Sequence, residues 1–423
     1  MGTLYVLIVP TVFIVFGRKL RKEWSDPMYL CGVFWMLYVS ASYLLMKDDY
    51  PFSMAGIVWI HITLWIMLLA ENLADRKIKR RNVEERTIEL STQSWLYLKS
   101  CCVFGVLGVI YQVSLYGFRF SDFTSLSTLA TMNNTVAIAR YAGKSVTNVF
   151  TQISLIFIYA APACGGFAFA HARTKIQKIW STATILPCVL MVLFTNTKAG
   201  IIAVSILWIS TYLISFFFRY KHSPIIKASM VFAMATIVAL FFGFLLLSMT
   251  LRIGAVSSNS IQAVERKFMS YAFGSVQAFD WWCGKLYYPD YKFGAQTYLA
   301  VSNVLGLAER VQGVYAYELG TASNVYTVFR GIIEDFGFVL GILYLSVKAL
   351  LCGACFNKIR CSSKIPFFSV TFLTAEMFFL VYGFIISIWT YISYILAVVI
   401  FWGYLVCSDS RSIRVKFGKK ILL

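Results

Sequence analysis

Apolar runs of bilayer-spanning length follow one another along almost the whole chain, and that repetition leaves few folds open. Inside hydrocarbon every backbone N–H and C=O must be satisfied by protein, so only helices and closed barrels span. A spanning helix needs about 20 apolar residues. Runs of that order lie at 3–17, 28–46, 54–70, 96–116, 150–171, 179–195, 199–218, 228–250, 336–356, 366–386 and 388–407, the first being short. Hydrophobic residues make up 59% of the chain and charged residues 13%, with a mean hydropathy of +0.72. That composition belongs to polytopic membrane proteins. The predicted fold is therefore all-α, a single integral membrane domain over residues 1–423 with about 11 transmembrane helices. The first run has no basic residue before it and no small-residue cleavage site after it, so it reads as a span rather than a signal peptide.

A net charge of +19 in a soluble protein would point to nucleic acid. Its distribution here points to topology instead. Segments 18–27, 71–95, 172–178, 219–227, 357–365 and 408–423 carry 24 Lys/Arg, whereas the short connections on the other side carry 5. Short basic loops remain cytoplasmic, so the amino terminus and the one long loop are expected to face outward, and no nucleic-acid partner is expected. The charged connection 71–95 reads as a solvated face beside anionic membrane lipids.

Ten cysteines give no metal or disulfide framework. Cys31, Cys101, Cys102, Cys164 and Cys188 fall within runs, where cysteine acts as a small apolar residue. Cys283 stands alone in the outer loop, and Cys352, Cys355 and Cys361 lack a neighbouring histidine to complete a zinc set. No internal repeat and no soluble domain is visible, and the missing symmetry counts against transporter folds.

The polar chemistry is concentrated in the loop 251–330, with a second outer connection at 117–149 carrying Arg119, Asp122, Arg140 and Lys144. Within 259–282, Ile261, Val264, Phe268, Tyr271 and Phe279 recur at helical spacing and end in Trp281-Trp282. A helix lying in the headgroup plane fits this pattern, and so does packing against the spans. From Thr321 to Gly337, Ser323 or Asn324 can open a helix. On it Tyr326, Arg330 and Glu334 share one face, beside an apolar face of Val325, Phe329, Ile332 and Phe336. An exposed Arg330–Glu334 pair would give only a few tenths of a kcal/mol, while charges near hydrocarbon can cost about 3 kcal/mol each. Function is the better account of their presence.

Lys198, in the tight outward hairpin FTNTKAG, joins Arg252, Arg266, Arg310 and Arg330 as anion-binding candidates on one side of the bilayer. Arginine's planar fork and lysine's point charge both suit phosphate oxygens. Three charged residues interrupt the runs themselves, namely Lys99, Lys348 and Glu376.

The sequence SNVYTVFRGIIEDFGFVLG from Ser323 to Gly341, preceded by KFMSYAFGSVQAF, resembles bacterial O-antigen polymerases, the oligosaccharide repeat-unit polymerases called Wzy. The motif likeness covers about Glu265 to Gly341, and elsewhere it is one of hydropathy. The resemblance implies an inner-membrane glycosyltransferase of the GT-C-like class that needs no metal or other cofactor. Its partner would be an undecaprenyl-pyrophosphate-linked oligosaccharide, with a chain-length regulator protein beside it. Its amino terminus would be periplasmic and its carboxyl terminus cytoplasmic. Related O-antigen ligases carry an arginine after Ser or Thr in a short outward hairpin, where this chain has Thr197-Lys198. They also tend to carry a periplasmic histidine, whereas His171 and His222 fall on the cytoplasmic side and His61 within a run.

Fixed cations aimed at a departing diphosphate lower the barrier to breaking a sugar–pyrophosphate bond. On the implied mechanism Arg330 acts with the diphosphate ligands Lys198, Arg252, Arg266 and Arg310. A carboxylate, Glu334, Asp335 or Glu309, helps deprotonate the acceptor. Asn324, Tyr326 and Tyr271 would contact sugar. Trp281, Trp282, Tyr287, Tyr288 and Tyr291 suit sugar stacking or interfacial anchoring alike. The Asp335-Phe336-Gly337 triplet matches the kinase magnesium motif, but no glycine-rich or catalytic loop accompanies it. An O-antigen ligase, a lipid-linked glycan transporter and a membrane scaffold are the competing expectations.

Overall fold

The computed structural model describes residues 1–21, 23–76, 88–119, 126–141, 146, 148–195, 197–225, 228, 243, 258–285, 291–309 and 327–418. For some of these, Lys198 and Arg266 among them, it describes the backbone alone. The described residues are mostly helical, with no strand among them. In chain order the helices are α1 (Gly2–Leu20), α2 (Pro27–Met46), α3 (Ala55–Arg76), α4 (Thr92–Ser114), α5 (Leu126–Tyr141), α6 (Val149–His171), α7 (Lys175–Ala183) and α8 (Leu186–Thr195). After them come α9 (Lys198–Tyr220), α10 (Ser258–Gly284), α11 (Leu299–Val304), α12 (Val328–Cys361), α13 (Phe367–Tyr382) and α14 (Ile392–Gly418). Nine helical stretches among the described residues are long and apolar enough to cross a membrane, and α13 is a shorter apolar helix. The chain is an all-α, multi-pass membrane protein. Apart from residues 228 and 243, the expected run at 228–250 lies outside the described residues.

Local chemistry sets the helix ends. Asn148 and Thr151 close a reciprocal cap on α6, as Thr174 and Gln177 do on α7. Pro27 opens α2 at a position where its missing N–H is not needed. The run expected at 179–195 starts earlier, at Lys175, and breaks at Thr184 and Ile185, just before Pro187. The connection expected at 117–149 contains a helix, α5. Its Asn133 side-chain amide donates to the carbonyls of Leu193 (3.0 Å) and Val192 (3.4 Å) at the end of α8.

The bundle has two sides joined by α13. On one, α3 lies along α12, and α2 packs against α1, α10 and α13. On the other, α6 is surrounded by α4, α9 and α14. Helices without a hydrophobic driving force between them associate through small residues. A side chain at Gly166 of α6 would strike the backbone of Trp208 on α9, so these two helices meet at van der Waals distance.

The basic helix ends lie together. Trp24 donates to the Pro224 carbonyl (2.9 Å), Lys221 donates to the carbonyls of Ile359 and Ser362 (both 2.9 Å), and Arg219 donates to that of Ala170 (2.5 Å). Arg21, paired with Asp26 and near Glu71, is buried at the same end. Helices α9 and α12 therefore run parallel, with Lys198 and Arg330 both at the opposite end.

Candidate functional site

Helix α12 is two helices end to end. Gly337, with φ 74° and ψ 178°, separates Val328–Phe336 from Phe338–Cys361. At 1.5 Å per residue the second piece is about 36 Å long and spans by itself. The first piece is a short cap on the end of the bundle. It begins after Thr327, which is extended. Arg330 and Glu334 thus share its face as expected, while Asn324 and Tyr326 lie outside the described residues.

Phe329 anchors this short helix. It is fully buried among Trp35 (ring centroids 4.7 Å apart), Trp59 (5.6 Å) and Phe279 (6.2 Å). Burial of such a side chain is worth about 1.5–3 kcal/mol, and each aromatic pair adds about 0.5–1.5 kcal/mol. The Val328 amide donates to Gly383 O (2.6 Å), fixing the cap to the end of α13.

Arg330 sits beside this anchor, 8% exposed. Its guanidinium lies over the Trp282 ring, 4.9 Å from the centroid, and its Nε donates to Glu334 Oε1 at 2.9 Å. The expected outward-pointing group is thus a largely buried one, with both a carboxylate and an indole face holding its charge. A desolvated cation–π contact is worth about 2 kcal/mol. The tryptophan expected to stack on sugar or anchor at the interface instead carries the arginine.

Two buried aspartates position the surroundings. Asp335 is fully buried, and its carboxylate accepts from the amides of Gln296 (2.9 Å) and Thr297 (2.6 Å). The amides of Lys292 and Phe293 donate to Glu334 O and Asp335 O (3.2 Å each), satisfying carbonyls at the end of the short helix. Segment 291–298 is stitched to the cap in this way, and Ser387 extends the seam by donating to Thr297 O at 2.7 Å. With both oxygens engaged on amides, Asp335 holds a loop in place, whereas Glu334 Oε1 accepts from the Arg330 guanidinium.

Asp280 is the residue that reading the sequence missed. It is fully buried on α10, and its carboxylate accepts from the amides of Ser53 (2.5 Å), Met54 (3.0 Å) and Ile57 (3.1 Å) and from the Ser53 hydroxyl (3.1 Å). These donors are at the start of α3, where amides lack helical partners and the helix dipole favours an anion. Burial pushes the Asp280 carboxyl above its ordinary range, and the hydrogen bonds to Ile57, Ser53 and Met54 pull it back. The one available signal was an acid between Phe279 and Trp281 on the apolar face of its helix. Helix α10 does not lie in the headgroup plane along its whole length. Its residues Gly274–Asp280 are buried, and Tyr38 and Ser42 of α2 donate to the carbonyls of Ala272 and Phe273 (2.7 Å each).

Tyr271 and Glu309 are exposed, Arg252 and Arg310 lie outside the described residues, and Arg266 is described only by its backbone in α10. The backbone of Lys198 opens α9 at the same end of the bundle as Arg330, and the two helices flank α13. His61 is buried and stacked on Tyr5, with centroids 5.5 Å apart. No family model, no curated protein and no solved structure matches this chain. What fold and site define together is the class: a helical multi-pass membrane protein with a buried arginine fixed at one end of its bundle.

Proposed function

We propose that the chain is an O-antigen polymerase, a glycosyltransferase that joins undecaprenyl-pyrophosphate-linked repeat units at the periplasmic face of the bacterial inner membrane. The basic end of the bundle is then cytoplasmic, and the Arg330 end is periplasmic. The observation that carries the reading is Arg330 held between Trp282 and Glu334 on a short helix at that end. A protein rarely keeps ionisable groups at the membrane without a use for them.

The geometry supports an exchange of partners. A donor diphosphate arriving at Arg330 competes with Glu334 for the guanidinium, and bidentate phosphate contacts are the stronger. Glu334 is thereby released as a base. The acceptor hydroxyl oxygen bonds to the donor's anomeric carbon, its proton passes to Glu334, and the bond to the diphosphate breaks with the electron pair leaving on oxygen. Positive charge fixed beside the departing diphosphate stabilises that step.

The test is complementation of a strain lacking its own polymerase, with protein levels matched by immunoblot. Arg330→Ala should leave lipopolysaccharide with a single repeat unit, Arg330→Lys should restore short chains, and Lys285→Ala should restore full length. Long chains with Arg330→Ala would remove the reading. A transporter of lipid-linked glycan is the second reading, favoured by the buried Lys348–Glu376 pair among the spans. It requires bare core in the deletion strain.

A further inference from the structure

Three charged residues interrupt the apolar runs, and two of them, Lys348 and Glu376, neutralise each other. Lys99 of α4 is the third. Among the described residues no carboxylate lies within ion-pair distance of it. Glu89, the acid just before α4, pairs instead with Arg173 at 3.2 Å. Lys99 lies about 10 Å along α4 from its first residue, Thr92. Its ammonium rests over the Trp180 ring of α7, 5.1 Å from the centroid. An indole face offsets only part of the cost of a cation at the edge of hydrocarbon.

The surroundings of Lys99 are built by protein contacts on both sides. Helix α4 and the α7–α8 arm run parallel and in step. Cys102 Sγ donates to Ala183 O at 3.5 Å, and a Cβ on Gly105 would come within 2.9 Å of Pro187. Where α7 ends, Ser181 O accepts from Trp208 Nε1 (3.0 Å) and from the Thr184 hydroxyl (2.7 Å), which ties the same arm to α9. On α4, Leu96, Lys99 and Val103 share one face, and on α7 Ile176 shares one with Trp180, with Ile179 beside them. Leu96, Val103, Ile176 and Ile179 are all exposed, and Lys99 and Trp180 meet between them. The result is an apolar furrow between two helices, open to the bilayer, with an ammonium and an indole at its floor. Both helices begin at the basic end of the bundle, neither has an acid in its first turn, and Lys175 and Lys178 are exposed there. Helix amino ends favour anions.

We propose that this corner binds one anionic phospholipid from the leaflet on the basic side of the bundle. Its phosphate meets the Lys99 ammonium, a compact point charge suited to phosphate oxygens. Trp180 stands at the level between headgroup and chains that tryptophan prefers. An acyl chain lies against Leu96, Val103, Ile176 and Ile179. Exposed walls of this kind call for a lipid, since a free phosphate leaves them uncovered. The α7–α8 arm leads on to the start of α9, so the bound lipid steadies the lower half of that broken span. The site is at the opposite end from Arg330 and stands independently of the polymerase reading.

The test places the full-length protein in phosphatidylcholine vesicles with a minor share of phosphatidylglycerol brominated on its acyl chain. Matched vesicles carry brominated phosphatidylcholine in the same share. The quenching that Trp180→Phe removes is the Trp180 signal. In the wild type, brominated phosphatidylglycerol should occupy the site about fivefold more than brominated phosphatidylcholine, the effect of one basic residue beside an anionic headgroup. Lys99→Met should abolish that preference with wild-type elution and helicity, and Lys99→Arg should keep it. Native mass spectrometry of the wild type with equal amounts of both lipids needs no variant and should retain phosphatidylglycerol preferentially. Equal quenching or equal retention of the two lipids would overturn the proposal. So would a preference that survives Lys99→Met, which would reflect the general charge of that end.

Discussion

Gly337 is where the spanning part of α12 meets the short helix carrying Arg330, and replacing it with alanine tests whether that joint is built as described. A straight helix of 34 residues would rise about 51 Å, far more than a bilayer core of about 30 Å requires. The break instead uses φ 74° and ψ 178°, a region that only glycine occupies readily. Holding alanine there costs about 1–3 kcal/mol. The new Cβ also comes within 2.8 Å of Tyr291 Cε1 and 3.2 Å of its hydroxyl. Tyr291 is 57% exposed and can turn away, so the clash adds less than the dihedral. Gly337→Ala should therefore destabilise the protein by about 2 kcal/mol. Adding Tyr291→Ala should recover less than half of that loss. The assay is reversible unfolding in mixed micelles with increasing sodium dodecyl sulfate, followed by tryptophan fluorescence. A Gly337→Ala loss below about 0.5 kcal/mol, the level of an ordinary surface change, would refute the strained joint. Full recovery in the double variant would show that side-chain contact, and not backbone conformation, sets the cost.

Asp280→Ala should be more damaging. It removes the cap of α3, worth about 0.5–2 kcal/mol, and orphans buried amides at about 1–3 kcal/mol each, so a total near 3–5 kcal/mol is expected by the same unfolding assay, and a loss under about 1 kcal/mol contradicts the capping role. Asp335→Asn keeps one acceptor and loses the other, which should cost about 1–2 kcal/mol and make the chain cleavable by trypsin after Lys292, and unchanged resistance would separate the segment from Asp335. Burial pushes the Cys283 thiol well up, with Asp280 adding to the rise and Arg330 opposing it. The unfolded chain releases this proton first, so the thiol's contribution to stability is complete below the ordinary thiol range and is lost as pH climbs towards the folded value. Maleimide should accordingly label Cys283 slowly across neutral and mildly alkaline pH and rapidly after denaturation, and prompt labelling of the folded protein would show that α10 does not bury it.

Run length made the spans legible, because backbone groups in hydrocarbon leave the chain no alternative to helix. Arg330 and Glu334 were legible as a pair, since four residues on a helix place side chains together. The Gly337 break was not. The sequence around it reads as one continuous helix, and the turn is fixed by Lys292 and Phe293, whose amides reach back to Glu334 and Asp335 from a distant segment. The contacts of Trp282 with Arg330 and of Asp280 with the start of α3 were hidden for the same reason, each joining segments far apart in sequence. The Lys348–Glu376 pair is a different case. Only Lys99, Lys348 and Glu376 interrupt the apolar runs. Lys99 lies near the start of its run, where a long side chain can bend towards the interface, and its ammonium rests over the Trp180 ring, 5.1 Å from the centroid. Two charges remain, of opposite sign, each too costly to bury alone. The bundle answers by packing α12 beside α13 so that Lys348 Nζ and Glu376 Oε2 meet at 2.8 Å. Charge sign showed that each needed a partner, but which helices would bring the two together was not in the sequence.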